Sequence, residues 1–281
     1  MLMRLLVALS SAWPERWAMA FGEALGAAAW ALGVRRRVVR ENLARAFPEM
    51  TEAARRALCR AHYAHLGRSA VEFFRAPRWS KEMLQARIDP GDWAVLERAQ
   101  AQGRGVIACV AHLGNFELLA GYAARRGVPL TAVTRQLRGA FNRAWMSLRG
   151  ELGVRELRGK NVVGKMVEVL RADQVLAVIV DQNMLPRRAV FVPFFGTLAA
   201  TTPAPAVLAE RTGAPVILAA MFRQPNGRFR VHVQGPFELG HGPARTTQLL
   251  EELNGALEAM IRLHPAQWFW VHRRWKTRPE P

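Results

Sequence analysis

Two hydrophobic periods alternate along most of the chain. From about residue 92, short apolar runs rich in Val, Ile and Ala are separated by stretches whose apolar positions recur every three to four residues. These are the marks of buried strands and of amphipathic helices. The runs at 105–111, 129–134, 175–180, 189–195 and 214–222 read as strands, a short one falls near 154–157, and 229–235 alternates as a strand with one wet face. Helices are predicted over 92–102, 115–126, 139–151, 161–172, 203–212 and about 245–263, with Gly103 and Gly127 closing the first two. Strands and helices interleaved in this way predict an α/β fold, a mixed, mostly parallel sheet flanked by helices. In such sheets ligands bind at the C-terminal ends of the strands.

The first third has a different pattern. Residues 35–78 read as helices: "RRRVVRENLARAF" ends at Pro48, and "TEAARRALCRAHYAHLGRSAVEFFR" starts after Thr51, a plausible N-cap, and stops before Pro77. Upstream, Trp17 to Val34 is interrupted by a single charge, Glu23, and is followed by Arg35, Arg36 and Arg37. A membrane span needs about 20 predominantly apolar residues. Here Pro14, Glu15 and Arg16 cut off the earlier apolar run. The expectation is therefore an embedded helix or helical hairpin, with Trp13, Trp17 and Trp30 at headgroup depth and arginines on the cytoplasmic side. An Ala-rich helix packed on the domain is the alternative. The organisation expected is a membrane-associated helical segment at 1–34 and one domain at 35–281, made of a basic helical collar at 35–78 and an α/β core at about 92–281.

Charge strengthens the membrane expectation. The chain has 40 basic and 22 acidic residues, a net +18, and 36 of the basic residues are Arg. Guanidinium forks suit phosphate and carboxylate, so an acidic partner is expected: nucleic acid, an anionic membrane, a phosphorylated lipid or an acidic carrier protein. The collar alone carries 11 Arg against 4 Glu, directly after the apolar N-terminus. Cys59 and Cys109 stand fifty residues apart without a Cys or His cluster, so neither a disulfide framework nor a metal site is indicated, and a reducing cytoplasmic setting fits.

The candidate chemistry sits in "CVAHLGNFELLAGYA", where a strand passes into a helix. His112 falls at the strand's carboxyl end, Asn115 can cap the helix, and Glu117 lies in the first helical turn, where the helix dipole favours a carboxylate. A histidine held by a carboxylate is the arrangement of a general base. The other reading is an ordinary strand-to-helix turn that contains a histidine. Cys109 should point into the packed sheet and no serine is near, which favours a base acting on the substrate's own hydroxyl over a covalent enzyme intermediate.

"AHLGNFE" resembles the H-x4-D/E block of the glycerolipid acyltransferase superfamily, and more closely its lipid A biosynthesis (Kdo2-lipid A) lauroyl/myristoyl acyltransferase branch. Further blocks agree in order. "RRRVVRENLARAFPEM" is similar to the R-x-x-N-L-x-x-x-F-P signature, and "TRQLRGAFNR" to a block with an arginine after the second strand. "VLAVIVDQN", "VFVPFFGTLAATTPAPAVLAERTGAPVI" and "PAQWFWVHRRWKTRP" resemble the D-Q, P-F-F-G-x-x-A-x-T and closing W-x-H-R-R-(F/W)-K-T-R-P blocks. The resemblance covers roughly residues 35–278. It implies a glycerolipid-acyltransferase-like fold in which His112 deprotonates an acceptor hydroxyl and Glu117 orients and charge-stabilises it. It further implies that Arg135 and Arg149 lie near a headgroup or phosphate, that Asp181 and Gln182 border the same crevice, and that Gly196 and Thr201 shape a loop near the acyl donor. The donor implied is an acyl carrier protein thioester, with no other cofactor and no metal. The acceptor implied is a membrane glycolipid such as a lipid A precursor, at the cytoplasmic face of the bacterial inner membrane.

The closing stretch interleaves Trp268, Trp270 and Trp275 with four cations, a pattern also used by single-stranded nucleic-acid grooves. Without an RNP, KH or helix-turn-helix signature, no nucleic acid is expected. The tryptophans are expected to anchor at a membrane interface, and His272 to be packed or interfacial rather than a second base. Two other functions remain open at this point. One is acyl transfer to another acceptor, such as an ornithine lipid, another glycolipid or a lysophospholipid. The other is a noncatalytic basic protein bound to membrane or nucleic acid.

Overall fold

The predicted alternation resolves into one seven-stranded sheet and a separate hairpin in the computed structural model, which describes residues 13–134, 139–159 and 162–279. The sheet strands are β1 (Ile88–Asp89), β2 (Val106–Gly114), β3 (Leu130–Val133), β4 (Arg155–Leu157), β5 (Val175–Ile179), β8 (Val216–Arg223) and β9 (Phe229–Phe237). Their spatial order is β1-β9-β8-β2-β5-β3-β4. All neighbours run parallel except β8 and β9. The sheet is thus mixed and mostly parallel, as the pattern predicts. The run 189–195 is a strand, β6 (Val190–Phe194), but it pairs antiparallel with β7 (Thr197–Thr201) outside the main sheet.

Side-chain alternation divides the buried sheet residues into two cores. On one face Ile107, Cys109 and Ala111 of β2 pack with Leu176 and Val178 of β5 beneath α8 (Val162–Arg171), α9 (Ala204–Thr212) and α10 (Arg245–Leu263). Cys109 is fully buried there and its thiol pKa is pushed up by burial, so it is no nucleophile. On the other face Ala108 of β2 and Ala177 of β5 look toward α5 (Trp93–Gln100), α6 (Phe116–Arg125) and α7 (Ala140–Glu151).

The first third forms α1 (Glu15–Ala31), α2 (Arg36–Ala46), α3 (Glu52–Arg75) and the short α4 (Lys81–Arg87). Thr51 does cap α3, its hydroxyl accepting from the Ala54 N–H at 3.2 Å. Helices α1 and α3 touch backbone to backbone: a Cβ on Gly26 would stand 2.1 Å from the Tyr63 carbonyl oxygen, and one on Gly67 1.9 Å from that of Gly22. This small-residue seam buries one face of α1 and leaves Trp17, Phe21 and Leu25 exposed on the other. No single helix among the described residues is long and apolar enough to cross a membrane; α1 and α2 meet the criterion only as a pair bent by 92°.

The C-terminal segment departs from expectation. Trp268, Trp270 and Trp275 are at most 5% exposed and lie in the core, not at an interface. Residues 268–275 cross the strand ends as a strap: Leu113 bridges Trp268, and the Phe269 N–H donates to the His112 carbonyl at 2.9 Å. Asn42 of α2 secures the strap from behind, its side-chain amide donating to the carbonyls of Trp270 and His272, both at 2.7 Å. The first and last signature blocks of the sequence therefore interlock.

Candidate active site

His112 stands at the end of β2, on the face that carries Ala108 and Val110, because alternate residues of a strand share a face. The chain turns at Gly114, whose positive φ and close approach to Met221 leave no room for a side chain, a Cβ falling 1.9 Å from the Met221 carbonyl oxygen. Asn115 then caps α6 through its side-chain oxygen, which accepts from the Leu118 N–H at 3.1 Å. The cap is itself fixed from below: the Asn115 side-chain amide donates to Glu72 of α3 at 2.8 Å, and Arg223 donates to the same carboxylate.

The carboxylate that holds His112 is Asp181. One Asp181 oxygen lies 2.9 Å from Nδ1 of His112, while the other accepts from the His112 backbone N–H and from the Trp268 indole N–H, each at 2.9 Å. An ionised carboxylate only accepts, so Nδ1 carries the proton and Nε2 keeps its lone pair. Burial works against the charged ring, but the charge and hydrogen bond of Asp181, with a smaller push from the Glu117 charge, outweigh it and hold the His112 pKa above the usual imidazole value. Burial also opposes charge on Asp181, yet its contacts with His112 and Trp268 keep its pKa below the usual range. Phe116 and Phe269 pack on the imidazole, at 4.9 and 5.4 Å between ring centres.

Glu117 does not hold His112, which corrects the expectation from the H-x4-E spacing. Its carboxylate accepts from the Trp145 indole at 2.9 Å and from Nε of Arg149 at 2.7 Å, with a second contact to the same guanidinium. Five residues carry the chain from a strand end into a helical first turn, so the two side chains meet different neighbours. Arg149 is accordingly half of a partly buried ion pair, with Glu156 also 3.5 Å away.

His112, Glu117, Arg149 and Gln182 line one cavity of about 650 Å³. Its walls are otherwise apolar apart from Thr134 and Asn142, and small residues create it. Ala132, Ala177 and Ala108 lie in register across β3, β5 and β2, and Ala120 and Ala123 of α6 also face the space. The four steps along β5 from Val175 to Ile179 alone give it a depth of about 13 Å along the strands. Trp93 closes the end away from His112, edge-on to Tyr122 near the C-terminus of α6.

The remaining expected residues sit elsewhere. Asp181 is 3% exposed and lies behind His112 rather than along the cavity wall. Gly196 forms a two-residue left-handed turn with Phe195 between β6 and β7, and Thr201 is buried, accepting from Arg274 at 2.6 Å. Neither lines the cavity. Arg135 falls outside the described residues. His272 is packed, its Nε2 accepting from the Asn183 N–H at 2.9 Å. The sequence reading missed Trp268 and Phe269 as groups that bind Asp181 and cover His112. Among the described residues, no group of three His, Cys, Asp or Glu side chains is arranged to hold a metal ion.

Residues 2–277 match the sequence model of the family described as bacterial lipid A biosynthesis acyltransferase. Among individual proteins, the chain is 28% identical over 248 residues to the lipid A biosynthesis palmitoleoyltransferase of Escherichia coli (strain K12), covering 87% of this chain and 80% of that protein. It is also 28% identical over 249 residues to the lipid A biosynthesis lauroyltransferase of the same organism, covering 88% and 80%. It is 27% identical over 242 residues to the phosphatidylinositol mannoside acyltransferase of Mycolicibacterium smegmatis, covering 84% and 78%.

Proposed function

Because the chain belongs to the bacterial lipid A biosynthesis acyltransferase family and is an acyltransferase, we propose that it transfers a fatty acyl chain from the thioester of an acyl carrier protein to a hydroxyl of a membrane glycolipid. The observation that carries the reading is an apolar cavity of about 650 Å³ with a histidine base at one end. An acyl chain fills the cavity and brings its thioester carbonyl to His112. Nε2 of His112 takes the proton of the acceptor hydroxyl as its oxygen attacks the carbonyl carbon, and Asp181 stabilises the imidazolium that forms. Collapse of the tetrahedral intermediate breaks the C–S bond. The imidazolium then returns its proton to the departing thiolate, which restores the base. The ion pair of Glu117 and Arg149, with Gln182, belongs to the polar part of the lining and flanks the reacting carbonyl.

A lipid A precursor is the acceptor favoured by the two E. coli relatives, and the enzyme then works at the cytoplasmic face of the inner membrane. The 27% identity to a phosphatidylinositol mannoside acyltransferase supports a second reading, in which another glycolipid accepts the chain. Incubating the protein with labelled acyl carrier protein and a panel of lipid acceptors, followed by mass spectrometry, tests both. A product gaining one acyl chain on a lipid A precursor is expected; transfer only to mannosylated or other lipids selects the second reading, and transfer to none refutes the proposal.

A further inference from the structure

A second pocket, of about 280 Å³, lies among the end of α1, α2 and the first turns of α3. Five arginines line it, Arg36 and Arg40 from α2 and Arg55, Arg56 and Arg60 from α3, against one carboxylate, Glu52. Glu52 is shared between Arg40 at 3.0 Å and Arg55 at 3.7 Å, so the lining keeps a large positive excess. Trp30 braces the wall, with the Arg60 and Arg36 guanidiniums 4.5 and 5.6 Å from its ring centre and Arg36 donating to its carbonyl. Such packing holds guanidinium forks in place at reduced entropic cost, as bidentate phosphate recognition requires.

The pocket is separate from the catalytic one. Arg60 precedes Glu72, which supports the cap of α6, by twelve residues of one continuous helix, or about 18 Å. The pocket instead lies at the C-terminal end of α1, beside Leu32 and Val34, which are 82% and 51% exposed. Farther along the same helix, Trp17, Phe21 and Leu25 are exposed at four-residue spacing. Apolar side chains next to clustered arginines match the chemistry of an anionic lipid, acyl chains beside a phosphate.

We propose that this pocket binds the phosphate of an anionic membrane lipid headgroup, seating α1 on the bilayer and fixing how the cavity mouth meets the membrane. The inference is independent of acyl transfer, because binding is read without turnover. The test measures binding of the full chain to phosphatidylcholine vesicles with and without phosphatidylglycerol. Three variants are compared with the wild type: R40Q/R56Q/R60Q, the charge-preserving R40K/R56K/R60K, and a control at exposed distant sites, R98Q/R171Q/R228Q. Thermal melting checks that each folds. The glutamine triple is expected to weaken binding to the anionic vesicles at least about tenfold. The lysine triple should weaken it by about threefold, since charge is kept but the forks are lost, and the control by less than about twofold. Wild-type binding by the lysine triple, or equal loss in the control, would make the effect diffuse charge and overturn the site. Loss of stabilisation by inorganic phosphate with vesicle binding intact would assign free phosphate instead. Loss of binding to an acidic carrier protein alone would assign a protein. Either result refutes the lipid assignment.

Discussion

Three donors converge on one carboxylate beside His112, and this convergence sets the protonation of both groups. With the His112 N–H, Nδ1–H and the Trp268 indole bound, Asp181 stays ionised although it is buried, and Nε2 of His112 is left as the basic atom. The raised His112 pKa fixes the sign of the pH dependence. Transfer should increase with pH as the ring loses its proton, with an acid limb above the ordinary imidazole value of about 6.5. In Asp181→Asn the burial penalty is no longer offset, so the limb should move to lower pH while the plateau rate falls by roughly 10²–10⁴. Glu117→Gln should move the limb less, because only the charge of Glu117, not a hydrogen bond, acts on the ring. A pH–rate profile of kcat/KM for the two variants checks this. Equal shifts would contradict the assignment of Asp181 as the partner.

Element packing sets the size and depth of the cavity in which the proposed acyl chain lies. The alanines of β2, β3 and β5 and those of α6 keep the helix from filling the sheet face, and Trp93 of α5 ends the space. Trp93→Ala should let longer chains in, and Ala177→Leu, in the middle of the row, should exclude long ones and favour short. Competition between acyl donors of different length, read by mass spectrometry of the products, checks both directions; an unchanged chain-length profile in both would mean the chain lies elsewhere. Much of this scale was legible in sequence, since the runs 105–111 and 175–180 are uniform and apolar enough to mark central parallel strands. The hairpin partner β7 was not, because "TLAAT" is short and lacks an alternating pattern. The base's partner was missed for a related reason: Val110 pairs with Ile179, so two residues further on His112 faces Asp181 across neighbouring strands. Two polar residues ending two apolar runs were the available signal, while H-x4-E spacing drew attention to a local pair.

At the scale of the molecule, the chain's two ends close over the site. Asn42 in the N-terminal signature binds two carbonyls of the C-terminal strap, and the strap presents Trp268 to Asp181 and Phe269 to His112. Asn42→Ala leaves one buried and one partly buried carbonyl without that donor, a loss of roughly 1–3 kcal/mol. It should lower the melting temperature and, through the loosened strap, reduce turnover in parallel; calorimetry with steady-state kinetics checks it. The aromatic and basic composition of the strap suggested a surface anchor, because composition does not reveal that the indoles fill the gap between β6, β7 and the strand ends. The central claim is that His112 is the base of acyl transfer, and the most direct measurement is transfer of a radiolabelled acyl chain into lipid by His112→Ala. Transfer should fall by at least about 10²-fold with membrane association and melting temperature unchanged. Transfer at the wild-type rate would contradict the account.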